Sequence, residues 1–93
     1  MQISVMELRL FAPWVHSLKE KRMIVKSLIA RIRNKFNVSI AETEHQDTHQ
    51  IIGITMCCVF SNQADSHSVW NNILRFIEDN TEAEIIHINS EFR

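Results

Sequence analysis

The chain has 93 residues, a formal net charge of −1, 45% hydrophobic residues, and a single Gly and a single Pro. That hydrophobic share excludes a disordered chain, and the length leaves room for one domain, residues 1–93. The longest apolar run, residues 51–60, is too short to span a bilayer. The opening "MQISVMELRL" mixes charges with apolar residues and is not a secretory leader. We therefore expect a cytoplasmic protein with no membrane partner.

Residues 2–11, "QISVMELRLF", alternate as a strand. Met6, Leu8 and Leu10 share one face; Ile3, Val5 and Phe11 share the other, with Glu7 and Arg9 between them. Pro13 ends the strand. Ser17 and Glu20 form an S-x-x-E capping box that opens a helix. Leu18, Val25, Leu28, Ile29, Ile32 and Phe36 then fall on one side at helical spacing, with Ile24 at the margin and Asn37 at the end.

"NVSIAETEH" reads as a second strand, with Val38 and Ile40 facing the core. "HQDTHQ" turns the chain. "IIGITMCCVF", residues 51–60, is too apolar for a half-exposed strand and belongs at the centre of a sheet. Gly53 within it predicts a bulge or a close backbone approach. Ser61-Asn62 caps a second helix over residues 63–79, whose stripe is Val69, Trp70, Ile73, Phe76 and Ile77. "EIIHINSEF" is the last strand. The order βαββαβ predicts a ferredoxin-like α+β fold: a four-stranded antiparallel sheet with both helices on one face, strands one and three central.

Positive charge gathers in "SLKEKRMIVKSLIARIRNKF", residues 17–36. Lys19, Arg22, Lys26 and Arg33 form a ridge on one flank of the first helix's apolar stripe; Lys21, Arg31 and Lys35 are expected on the other. From Asn37 onward, only Arg75 and Arg93 offset a run of acidic residues. Cations along one element supply the sequence-independent term of RNA binding, whereas the bland alternative is a solvated helix face. Base stacking of the RNA-recognition-motif kind is not expected, since it needs aromatics on the two central strands, and strand three offers Ile, Thr, Met and Cys while strand one offers only Phe11 at its end.

"ETEHQDTHQ" gathers Glu42, Glu44, His45, Asp47 and His49, which are metal-ligand and acid–base types. His45 and His49 have helical spacing but straddle a turn, so a polar hairpin connection is the expectation, with no metal site and no cofactor. No nucleophile motif or phosphate loop is present, and no catalytic residue is expected. Adjacent Cys57 and Cys58 point to opposite faces of a strand and read as two free thiols.

"SLKEKR" (17–22), "RNKFNVSIAE" (33–42), "HQD" (45–47) and "SN" (61–62) before "LRFIED" (74–79) resemble the YlxP-like family of small bacterial proteins of unknown function. The resemblance covers nearly the whole chain and implies a ferredoxin-like fold and a cytoplasmic protein. Genes of that family often lie among translation and ribosome-maturation genes, which implies work on RNA. Relatives usually carry Trp after Thr48, where this chain has His49.

These readings define three functions. The first is a non-catalytic protein that binds structured RNA or a ribosomal particle through Lys19, Arg22, Lys26 and Arg33. The second is a self-associating module, a homodimer first of all, joined through Ile3, Val5 and Phe11 on the sheet face that the helices leave bare. The third is a small metal-dependent or acid–base enzyme using residues 42–49, and it ranks last because no catalytic constellation supports it.

Overall fold

The computed structural model describes residues 2–93. Its elements are β1 (Gln2–Phe11), α1 (Leu18–Lys35), β2 (Ser39–Glu44), β3 (Ile51–Phe60), α2 (Gln63–Asn80) and β4 (Glu84–Phe92). The strands form one antiparallel sheet in the order β2-β3-β1-β4. This is the ferredoxin-like α+β plan, with β1 and β3 central.

Alternation along the strands explains the layering. Met6, Leu8 and Leu10 of β1 lie opposite Met56, Ile54 and Ile52 of β3, and all are buried. Ile40 of β2 extends this floor toward one edge. Onto it pack Val25, Leu28 and Ile32 from α1 and Trp70, Ile73 and Ile77 from α2. Burying a side chain of this kind contributes roughly 1.5–3 kcal/mol, so this shared layer is the main source of stability. Ile24, Ile29, Phe36, Val69 and Phe76 pack at its margins.

The ends of the helices follow from local chemistry. Ser17 Oγ accepts the Glu20 N–H at 3.1 Å. The reciprocal half of the box is shifted by one residue: Glu20 Oε2 accepts from the His16 N–H at 3.4 Å, not from Ser17. Asn62 caps α2 by accepting the Asp65 N–H at 3.0 Å. The two helices stop at Phe36 and Thr81, whose extended backbones still donate to Ile32 and Ile77.

Gly53 sits where β2 carries its extra residue, between Glu42 and Glu44. A Cβ at Gly53 would lie 2.6 Å from Glu44 Cβ and 2.8 Å from the Glu44 carbonyl oxygen. The glycine is therefore a close-approach residue, as its place inside an apolar strand predicts.

Candidate nucleic-acid interface and the buried lysine

The cations of α1 divide into two sets. Lys21 is not on the flank expected for it beside Arg31 and Lys35: it is buried, with a relative exposure of 1%. Its stem takes a place in the core stripe one turn before Val25. Its ammonium lies 3.0 Å from Glu42 Oε2 of β2 and donates to the backbone carbonyl of His45. Glu42 Oε2 is itself buried, and no other group among the described residues compensates it. The same His45 carbonyl also accepts the Thr48 N–H at 3.0 Å. His45 has φ of 59°, a left-handed conformation that His tolerates better than most residues. Lys21 thus ties the first turn of α1 to the start of the β2–β3 connection.

Arg31 and Lys35 are exposed but engaged. Arg31 Nη1 donates to the Asn80 carbonyl at 3.4 Å. Lys35 Nζ stands 4.9 Å from the centroid of Phe76 and 5.9 Å from that of Phe36, a cation–π arrangement over two rings that meet edge to face.

Lys19, Arg22, Lys26 and Arg33 form the other set. All four are exposed, and none is ion-paired among the described residues. Arg33 fixes the direction of this flank, because its Nη2 donates to the Ile40 carbonyl of β2 at 2.9 Å. The ridge therefore runs along the side of α1 that overhangs the β2 edge.

The acidic-histidine segment is built differently from a metal centre. Glu42 is turned into the interior toward Lys21. Glu44 lies on the opposite side of the sheet, where its Oε2 accepts from Arg9 Nη2 at 3.1 Å and stands 3.8 Å from His45 Nε2. Among the described residues, no three His, Cys, Asp or Glu side chains come together in a way that could hold a metal ion.

On the bare sheet face Ile3 is exposed, while Val5 and Phe11 are half-buried. Ile3 and Val5 adjoin Val59 and Cys57 at one end, and Phe11 adjoins Ile51 at the other. Glu7 and the Arg9–Glu44 pair lie between, so the apolar surface is in two parts. Cys57 and Cys58 are both free thiols. Burial pushes the Cys58 thiol up from its ordinary value, opposed by its hydrogen bond to the Val59 backbone, with a smaller upward push from Cys57. Cys58 Sγ also donates to the Asn37 carbonyl at 3.1 Å.

Two contacts are not read from the sequence. Lys21 is one; its only hint is that it occupies an apolar position of the helix period. The other is Trp70, whose Nε1–H donates to Ser4 Oγ at 2.6 Å with both residues buried. Trp14, by contrast, is partly exposed beside Met23, Ile24 and Arg31, in a groove between α1 and the end of α2.

Fold and surface together define a small ferredoxin-like α+β protein with one cationic helix flank and no helix long and apolar enough to cross a membrane among its described residues. Residues 3–90 match the family described as protein of unknown function (DUF503), and the chain belongs to that family. It is 40% identical over 68 residues to the uncharacterized protein YlxP of Bacillus subtilis (strain 168), a match covering 73% of this chain and 74% of that protein. The YlxP-like resemblance read from "SLKEKR" and the segments after it is thereby shown.

Proposed function

We propose that this protein is a non-catalytic binding protein of the cytosol that grips structured RNA, free or within a ribosomal particle, through Lys19, Arg22, Lys26 and Arg33. One observation carries the reading. Lys21, Arg31 and Lys35 are each engaged, by Glu42, by the Asn80 carbonyl or by aromatic rings, and Arg33 anchors the ridge on the Ile40 carbonyl, whereas Lys19, Arg22 and Lys26 are exposed and have no hydrogen-bond or ion-pair partner among the described residues. The free thiols Cys57 and Cys58 fit a reducing compartment.

The ridge offers point charges and no flat base-reading surface, so binding is electrostatic and tolerant of sequence. With about three phosphates neutralised, affinity falls on the order of 40-fold between roughly 50 and 200 mM salt. The test is retention of a structured RNA by the native protein at both salts. Reversing Arg22 and Lys26 to Glu is expected to abolish retention for all sequences alike, and Arg31→Glu to leave most of it. A wild-type protein that retains no RNA even at low salt refutes the reading.

A further inference from the structure

The two edges of the sheet are finished differently. Ile3 and Arg93 exchange both backbone hydrogen bonds, at 3.0 and 2.7 Å. Bonded and non-bonded pairs alternate along an antiparallel ladder. Val5–Glu91, Glu7–Asn89 and Arg9–His87 are therefore the other bonded pairs, and Ile88, Ser90 and Phe92 turn their N–H and C=O groups away from β1. The same alternation, carried across β1 and β3, turns the backbone groups of Ile40 and Glu42 outward at the β2 edge.

At the β2 edge, side chains occupy the outward carbonyls: Arg33 on Ile40 at 2.9 Å, and Gln46 on Glu42 at 3.4 Å. At the β4 edge, no side chain among the described residues meets the outward groups of Ile88, Ser90 and Phe92. Proteins normally blunt such an edge with Lys, Pro or a bulge. β4 contains neither Lys nor Pro. Its one irregularity falls beside Ile86, which leaves His87–Phe92 in regular register. Ile86 and Ile88 are each 49% exposed.

We propose that β4 pairs antiparallel with β4 of a second copy of this chain, about a two-fold axis at Asn89, so that the two sheets become one. Charge complementarity selects both the partner and the register. With the axis at Asn89, Glu91 of each copy, whose Oε1 accepts from Arg93 of its own chain, lies with its second oxygen beside His87 of the other, and the imidazole N–H is a donor to that carboxylate whether neutral or protonated. Ile88 and Ser90 then exchange backbone hydrogen bonds with Ser90 and Ile88 of the second copy, and Ile86 comes opposite Phe92. Moving the axis to Ile88 sets Glu91 against Ile85, and moving it to Ser90 sets His87 against Arg93; both lose the complementary pair. The α1 ridge overhangs the opposite edge of the sheet and stays open on both copies.

Sedimentation over a concentration series reads the association, and two variants locate it. Ser90→Pro removes a donor that points away from β1, so the β1–β4 ladder keeps its bonds. Wild type is expected to sediment as a dimer at high micromolar concentration, and Ser90→Pro as a monomer with unchanged helix circular dichroism. Asn89→Cys, made in a Cys57→Ser/Cys58→Ser background, places two thiols on a non-bonded cross-strand pair with Cα atoms about 4.5 Å apart, within disulfide reach. It is expected to yield a covalent dimer on mild oxidation, and Glu84→Cys in the same background to yield none. That cross-link decides the matter if Ser90→Pro does not fold. The proposal is overturned by a wild type that stays monomeric throughout, by an Asn89→Cys variant that does not cross-link, or by a dimer that survives Ser90→Pro but is lost in Val5→Glu. The last result would put the contact on the bare sheet face instead.

Discussion

Replacing Lys21 by Met tests the buried ion pair most directly. Methionine keeps an unbranched stem in the slot between α1 and the sheet, so lost packing is small and the effect reports on the charge. The variant leaves Glu42 without its ammonium partner at 3.0 Å and withdraws a donor from the His45 carbonyl. Breaking a buried pair by removing one partner costs about 3–5 kcal/mol. Glu42 keeps 19% of its side chain exposed, so water offsets part of this, and the lower end, about 3 kcal/mol, applies. For a domain of this size that corresponds to a fall in Tm of roughly 12–24 °C. Thermal unfolding followed by circular dichroism at neutral pH measures it. The double variant Lys21→Met/Glu42→Leu is expected to recover most of the loss, because two apolar groups replace a pair and leave no orphan charge. A single variant that melts within about 4 °C of wild type, worth under roughly 1 kcal/mol, refutes the reasoning. So does a double variant no more stable than the single.

Two further outcomes follow from the packing. Gly53→Ala drives a Cβ against the Glu44 backbone, which cannot rotate away, and should cost about 1–3 kcal/mol by urea denaturation with the m-value unchanged. An unchanged midpoint would show that the β2 bulge yields freely. Ser4→Ala leaves the Trp70 indole N–H without its acceptor inside the core and should cost about 1–3 kcal/mol; adding Trp70→Phe removes the orphaned donor, so the cost of the pair should fall well short of the sum of the singles. Strict additivity would mean that the hydrogen bond contributes nothing.

Much of this protein was legible in its sequence because the strongest signals are local and periodic. Met6, Leu8 and Leu10 alternate with polar neighbours, so they must lie on the buried face of any sheet containing them. The apolar run 51–60 is too apolar for an edge strand, which places it centrally, although its Val59 side stays on the bare face. Ser17 and Asn62 announce helix starts because their side chains satisfy amides within one turn. Gly53 marks a close approach because no other residue leaves that space. Two apolar helices and four strands in this order have few ways to share one core, and the βαββαβ arrangement follows.

What the tertiary structure decided is the assignment of polar groups to partners distant in the chain. Lys21 reads as a surface cation, since nothing within a helical turn can neutralise it; Glu42 reaches it only once β2 lies beneath α1. Ser4 and Trp70 stand at opposite ends of the sequence and meet only across the sheet. The same holds for the cationic ridge, where Lys19, Arg22, Lys26 and Arg33 could be grouped on a helical wheel, but their freedom from carboxylates depends on where the acidic residues of the second half fold. The state of each sheet edge is equally hidden. Arg33 and Gln46 close the β2 edge through carbonyls whose direction is set by strand pairing, and the open edge of β4 appears only when the ladder is complete. Periodicity records which face a side chain takes, whereas a hydrogen bond or an ion pair depends on distance between groups that only the folded chain brings together.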